Sequence, residues 1–303
     1  KPVDSLHITI RDTGETLVVK DHFNASGWQA IEEIAFADGQ VWTQQDVLGL
    51  VLIGDEAVND LRGFANRNDT LMGLGGADKL EGLSGDDSLD GGAGNDILVG
   101  GGGNDTYRLD LGGGSDLVEE YGEDTADTIQ LGAGITPADV LVRWTQQGDM
   151  VLRLPDGAVM TVIGQASAGA YGMSRGIESV RFADGTVWDQ ATLAEQALAA
   201  TAGDDTIVGG FDSDVLDGGA GNDVLLNLGG SETIVFGLGD GNDTVAPTFG
   251  RLVFKEGIDQ NSVTFAQEGD DLLVTLNATN ESIRLQYWLG PYPRVTTFEF
   301  NNG

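Results

Sequence analysis

Two runs of acidic residues in this chain keep a nine-residue spacing: Asp69, Asp78, Asp87, Asp96 and Asp105, then Asp205, Asp214, Asp223 and Glu232. Each run ends on a variant turn, "GGGSDLV" carrying Asp116 and "GDGNDTV" carrying Asp243. Aspartate in one isolated Gly-Asn-Asp turn is explained by turn chemistry alone. Nine acids in register ask for a ligand as well. Carboxylates stacked ~5 Å apart repel by roughly 3 kcal/mol per pair at an effective dielectric near 20. A hard cation between neighbours reverses that sign. Carboxylates and backbone carbonyls, with no His or Cys among them, favour calcium over zinc or copper, and magnesium prefers small octahedral sites rich in water.

The elements that must hold these acids follow from the blocks around them. From residue 64 they read "FANRNDTLM", "GLGGADKLE", "GLSGDDSLD", "GGAGNDILV" and "GGGGNDTYR"; from residue 200 they read "ATAGDDTIV", "GGFDSDVLD", "GGAGNDVLL" and "NLGGSETIV". Repeated glycines supply turn angles that other residues resist. The residues after each acid are too few for a helix but suffice for a short strand with one inward apolar side chain: Leu71, Leu80, Leu89, Leu98 or Tyr107. Turn plus strand makes a half-coil, and two half-coils make one coil of a solenoid. Consecutive turns then alternate sides. Asp69, Asp87 and Asp105 are predicted to stack along one edge and Asp78, Asp96 and Asp116 along the other; Asp205 and Asp223 share an edge opposite Asp214 and Glu232.

Composition narrows the function classes. The 303 residues carry 49 acidic and 15 basic side chains, a net charge of −34, with lysine only at Lys1, Lys20, Lys79 and Lys255. Such a surface repels nucleic acid and anionic lipid, and resists compaction until cations neutralise it. There is no cysteine and no apolar run long enough to span a membrane. The start, "KPVDSLHITI", is strand-like, has no signal peptide, and reads as the interior of a longer protein. His7 and His22 are the only histidines, and no His-Glu-x-x-His or Gly-x-Ser-x-Gly motif occurs. "LGGGSD" and "GGGGND" lack the Lys-Ser/Thr of a phosphate loop. A glycosidase-type carboxylate pair among the many acids stays open.

The nonapeptide blocks resemble the RTX (repeats-in-toxin) family, whose G-G-x-G-x-D-x-U-x pattern is an established calcium-binding repeat. The resemblance spans about 64–120 and 200–246. It implies a mainly β chain of two right-handed parallel β-rolls alternating with small antiparallel β modules and short capping helices. It also implies roughly five to eight Ca2+ ions, each between turns one coil apart, held by the aspartates and by carbonyls of Gly73, Gly75, Gly82, Gly91, Gly94, Gly100, Gly103, Gly218 and Gly221. Phe64, Asn66 and Arg67 break the first turn's glycines, and Asn227 and Glu232 alter the last regular one.

The intervening segments resemble the haemolysin-type calcium-binding-related module. "IEEIAFADGQVW" (31–42) repeats as "IESVRFADGTVW" (177–188) and begins again in "VTTFEFNNG" (295–303). "LHITIRDTGETLVV", "VLRLPDGAVMTVI" and "LLVTLNATNESIRL" read as hairpins. After each Val-Trp comes a helix signal, "TQQDVLGL" capped by Thr43 with Asp46, and "DQATLAEQALAA" capped by Asp189. The expected division is a partial module over 1–54, a roll over 55–133, a module over 134–199, a roll over 200–250 and a partial module over 251–303. The repeating pattern, cut at both ends, reads as part of a longer tandem array.

Together these imply a calcium-folded, non-catalytic region of a large protein exported through a type I channel, extracellular or on the bacterial surface, and monomeric. It is expected to carry no nucleic-acid partner. A spacer in a giant adhesin is the leading form. The accessory region of a secreted lipase, protease or epimerase, or a carbohydrate-binding module meeting a cell-surface glycan or protein receptor, are the alternatives. Trp28, Trp42, Trp144, Trp188 and Trp288 fit a sugar platform in principle, but Trp42 and Trp188 close equivalent alternating strands and so read as core.

Overall fold

The computed structural model describes residues 6–9, 15–19, 33–43, 46–47, 49, 52–120, 126–165, 176–291 and 295–300. Trp28 and His22 lie outside the described residues, as does the end of the "VTTFEFNNG" segment, and the His7 side chain is likewise not described. Two compact units divide the chain, Lys1–Ile53 and Gly54–Gly303.

In the first unit, β1 (Leu6–Thr9) and β2 (Thr16–Val19) pair antiparallel, as do β3 (Glu33–Ala35) and β4 (Val41–Thr43). The β3–β4 turn closes with the Phe36 N–H donating to the Gln40 carbonyl at 2.8 Å. Trp42 sets its ring edge-on to Phe36, with centroids 4.7 Å apart. At the following helix start, the Thr43 N–H donates to Asp46 Oδ2 (2.8 Å) and the Asp46 N–H donates to Thr43 Oγ1 (3.3 Å). That reciprocal pair satisfies two donors which a helix start otherwise leaves bare.

The second unit begins as a coil of short strands that change sheet at every turn. One sheet takes β5 (Asp60–Arg62), β7 (Lys79–Ser84), β9 (Ile97–Gly102) and β11 (Ser115–Glu119); the other takes β6 (Thr70–Met72), β8 (Ser88–Asp90), β10 (Thr106–Leu109) and β12 (Thr128–Leu131). All these pairings are parallel. Register puts like over like, Leu71 on Leu89 on Tyr107 on Ile129 in one sheet and Leu80 on Leu98 on Val118 in the other. None of these seven side chains exposes any surface. Each fully buried one contributes about 1.5–3 kcal/mol, and in a two-layer roll this single file per sheet is the core.

Antiparallel hairpins are grafted directly onto these sheets. β15 (Val159–Val162) pairs parallel with β11, and β14 (Met150–Arg153) and β13 (Leu141–Trp144) follow it antiparallel. On the other side β16 (Ser179–Arg181) pairs parallel with β12 and antiparallel with β17 (Val187–Asp189). Trp188 is 6% exposed and meets Phe182 edge-on at 4.8 Å, the same pairing as Trp42 with Phe36.

Helix α1 (Gln190–Leu198) follows at once, capped by Asp189, whose Oδ1 accepts the Thr192 N–H at 2.8 Å. It buries Leu193 and Ala197 and packs against β13 and β18 (Thr206–Gly209). A second roll follows. β18, β20 (Val224–Asn227) and β22 (Asn242–Val245) form one parallel run, and β19 (Val215–Asp217), β21 (Glu232–Phe236) and β23 (Gly250–Phe254) the other. Ile207, Leu225 and Val245 stack in the first, Leu216, Ile234 and Leu252 in the second. β26 (Ser282–Leu285) adds parallel to β22 and carries β25 (Asp271–Leu276) and β24 (Val263–Glu268) antiparallel beyond it.

Candidate metal centre

Between strands the chain reverses in glycine turns, and each turn hands one acid to the roll's edge. The acids join by a repeated contact: the backbone N–H of one donates to a carboxylate oxygen of the acid one coil later. On one edge Asp69 donates to Asp87 Oδ1 (2.8 Å) and Asp87 to Asp105 Oδ1 (2.7 Å). On the other Asp78 donates to Asp96 Oδ1 (2.8 Å) and Asp96 to Asp116 Oδ1 (3.1 Å). In the second roll Asp205 donates to Asp223 (2.7 Å), Asp223 to Asp243 (3.0 Å), and Asp214 to Glu232 Oε2 (2.7 Å). The columns are those the spacing predicts, with eighteen residues between regular members and twenty to Asp116 and Asp243.

One oxygen of each accepting acid is therefore used. The other is the informative one. Oδ2 of Asp78, Asp87, Asp96, Asp223 and Asp243 is buried without a hydrogen-bond partner. An unsatisfied buried acceptor costs roughly 1–3 kcal/mol, more when charged, so five of them ask for a ligand. A second oxygen type converges on the same spaces. A methyl group placed on Gly82 would collide with Asp87 Oδ2 and lie 2.8 Å from the Gly100 carbonyl oxygen. On Gly73 it would meet Asp78 Oδ2 and the Gly91 carbonyl, and on Gly63 the Gly82 carbonyl at 2.6 Å and Asp69 Oδ2 at 2.9 Å. Carboxylate and carbonyl oxygens facing one glycine-lined space, without nitrogen or sulfur, form the donor set of a hard cation. Calcium fits it through oxygen ligands and tolerance of irregular geometry.

Electrostatics point the same way. Burial, then repulsion from Asp69 and Asp86, pushes the Asp87 carboxyl above the usual range; burial, then Asp78 and Asp90, does so for Asp96. Asp116 and Asp243 are driven up to about 7, burial leading and the neighbours Asp96 and Asp223 adding repulsion. At Asp116 and Asp243 a cation would therefore compete with protons near neutral pH.

The outermost acids are placed differently. Asp69 Oδ2 accepts the Phe64 N–H, within the turn whose glycines are replaced. Asp205 has both oxygens engaged: Oδ1 with Arg143 Nη2 at 3.2 Å, Oδ2 with the Thr201 N–H and hydroxyl at 2.6 and 2.8 Å. Asp214 Oδ2 accepts the Gly210 N–H, and Glu232 Oε1 accepts Asn227 Nδ2, both at 2.7 Å. Lys255 Nζ bridges Asp217 and Asp240 at 2.8 and 2.9 Å, a protein cation placed beside the second roll's edge. Among the glycines expected to offer carbonyls, Gly94 already accepts the Ser115 N–H at 3.1 Å, and Gly75 and Gly221 sit in inter-coil bridges with Ala93 and Gly241.

Several members escape a nine-residue reading. Asn59 heads one column, its N–H donating to Asp78 Oδ1 at 2.7 Å. Asp127 extends the other, accepting the Asp105 N–H at 2.7 Å across a 22-residue coil, and itself donates to Glu178 Oε2 at 2.8 Å. The signal present was "DTI" at 127–129 and "ESV" at 178–180, an acid two residues before an inward apolar, without the glycine spacing. Tyr107, expected as a core residue, is fully buried, yet its hydroxyl accepts the Gly100 N–H (2.8 Å) and donates to Glu120 Oε1. Burial, and next the charge of Asp127, raises the Glu120 carboxyl to about 9. The residue before each acid forms an outer ladder of its own: Asp86 donates to Asn68 Oδ1 and Asn104 to Asp86 Oδ1, both at 2.9 Å. Trp144 is half-buried, and the Trp288 indole N–H donates to the Val295 carbonyl at 2.7 Å.

Comparison with known proteins matches two family models. The RTX calcium-binding nonapeptide repeat matches residues 72–107, 82–118 and 197–232, and the haemolysin-type calcium-binding protein related domain matches 6–46 and 159–192. No curated protein gave a match. Among solved structures, the extracellular lipase of Serratia marcescens is similar at 18% identity and a TM-score of 0.23, over 77% of this chain and 36% of the lipase. No helix among the described residues is long and apolar enough to cross a membrane.

Proposed function

Because this is an RTX haemolysin-type calcium-binding repeat chain with haemolysin-type calcium-binding-related segments, we propose that it is a calcium-folded structural region of a large protein exported by a type I system, used as a spacer at the bacterial surface. Asp78, Asp87, Asp96, Asp105, Asp116, Asp223 and Asp243, with the carbonyls of Gly82, Gly91 and Gly100, would hold the ions. Asp69, Asp205, Asp214 and Glu232 would hold them more weakly, since protein donors already occupy their oxygens. The observation that carries this reading is the set of five buried aspartate oxygens without partners.

The physics suits export. At low calcium, unneutralised columns and 47 glycines favour an open chain. Outside, calcium binds only the folded state. One ion at a hundred times its Kd adds about 2.7 kcal/mol, and several acting together drive folding. A calcium titration followed by circular dichroism tests it. The expected result is a cooperative gain of β signal at ~10⁻⁴–10⁻³ M; a spectrum that chelator leaves unchanged defeats the folding role. The spacer reading is tested separately by the full-length gene, where a catalytic domain in the same chain overturns it.

A further inference from the structure

The first roll ends in a coil that departs from the nonapeptide rule, and three buried acids meet there. Asp105, Glu120 and Asp127 are 1%, 6% and 4% exposed. Each offers a carboxylate oxygen lying within 4.8 Å of the others'. At Gly63, Gly73 and Gly82 a turn aspartate shares its space with a glycine carbonyl from the next coil, as Asp87 does with Gly100. Above Gly100 the nearest groups are Asp105 Oδ2 and the Tyr107 hydroxyl instead. The four extra residues between Asp105 and Asp127 take the next glycine turn out of register. Glu120 supplies an oxygen in its place.

We propose that Asp105, Glu120 and Asp127 form a separate calcium site closing the first roll, built from three carboxylates rather than from the nonapeptide's one acid per turn and carbonyls. The second observation behind it is Glu120 itself. The side chain is buried, its Oε1 takes the Tyr107 hydroxyl, and its Oε2 has no hydrogen-bond partner. Among the described residues no Lys or Arg forms an ion pair with it. Three carboxylates so close together cannot all stay ionised without a cation. The donor set selects the ion. Calcium takes carboxylate oxygens in irregular geometry, whereas magnesium keeps several waters in a near-ideal octahedron, for which three buried carboxylates leave little room. Three formal negative charges on one divalent ion make this the tightest of the chain's sites, because ligand charge sets affinity among oxygen-ligated calcium sites.

This site rests on the calcium reading proposed above and goes beyond the turn sites, with which it shares only Asp105. It also carries its own reporter, since Tyr107 bonds a ligand directly. Terbium in place of calcium on the full chain, excited through tyrosine, reads that ion. In the wild type the first ion bound gives tyrosine-sensitised emission. Glu120→Gln is expected to bind one calcium fewer by equilibrium dialysis and to lose that first emission step. Tyr107→Phe, which keeps all three carboxylates, is expected to keep the calcium count; a lost ion in that variant overturns the carboxylate assignment. An unchanged calcium count in Glu120→Gln overturns the site while leaving the turn sites intact. A wild-type chain that takes up no calcium overturns both.

Discussion

Asp96→Asn separates a ligand from a turn residue, because the two roles give opposite signs in the presence and absence of calcium. Asp96 sits mid-column, 1% exposed, accepting the Asp78 N–H on Oδ1 and leaving Oδ2 bare. Asparagine keeps the shape and keeps an oxygen for the Asp78 N–H, so the backbone contact survives. What it removes is charge. Adjacent coils of a parallel sheet lie ~4.8 Å apart, and at an effective dielectric near 20 a like-charge pair at that distance repels by about 3.5 kcal/mol. Asp116, held up to about 7, is largely protonated below neutral pH, so Asp78 is the main neighbour whose repulsion the amide relieves. In chelator the variant is therefore expected to favour the folded state by about 3 kcal/mol. With calcium bound the repulsion is already neutralised, and the amide is a poorer ligand. A tenfold loss at each of two flanking ions costs about 1.4 kcal/mol apiece. The assay is the folding equilibrium by circular dichroism, under urea in saturating calcium and as residual β signal in chelator. An equal loss of stability in both conditions refutes the cation role and leaves Asp96 as a hydrogen-bond acceptor only.

Three further outcomes follow from other parts of the roll. Asp116 and Asp243 have carboxyls raised to about 7 by burial and their neighbours, so the metal-free folded state binds protons the unfolded chain releases near 4. Their contribution is present below about 4 and lost as pH rises through about 7; in chelator β signal should increase on acidification from pH ~7.5 to ~5.5, and calcium binding near pH 7 should release protons into a weak buffer. Gly92 has φ +86° and a methyl there would strike the Leu74 carbonyl, whereas Gly157 at φ +97° faces open space. Gly92→Ala should cost well over the ~1 kcal/mol expected of Gly157→Ala, measured as urea midpoints in calcium. Leu98→Ala opens a cavity in a fully buried column and should cost about 2–5 kcal/mol in the same assay, leaving the β-sheet spectrum intact.

Much of this was legible from spacing because a roll is nearly one-dimensional. Each half-coil meets only its predecessor and successor one coil away, so a nine-residue period fixes which side chains face inward and which acids share an edge. Asp78 above Asp96, and Leu71 above Leu89, need no long-range information beyond that period. The hairpin turns and the Asp189 helix cap were legible for a different reason: their hydrogen bonds are local, reaching only a few residues.

What the tertiary structure alone decided lies where the period breaks. Asp127 joins the Asp105 column across 22 residues, and Glu178 reaches Asp127 from 51 residues further on, because β12 and β16 extend the sheet after the glycines have gone. Asp205 has the repeat's sequence but not its bare oxygen, since Thr201 occupies Oδ2 and Arg143, brought over by strand β13, takes Oδ1. Tyr107 occupies a core position by pattern and reaches Glu120 by packing. Sequence determined the columns, since a column needs only a constant coil length. Which carboxylates end up buried and bare, and which meet a protein cation instead, depends on segments far apart in the chain, so only the folded sheets settle it.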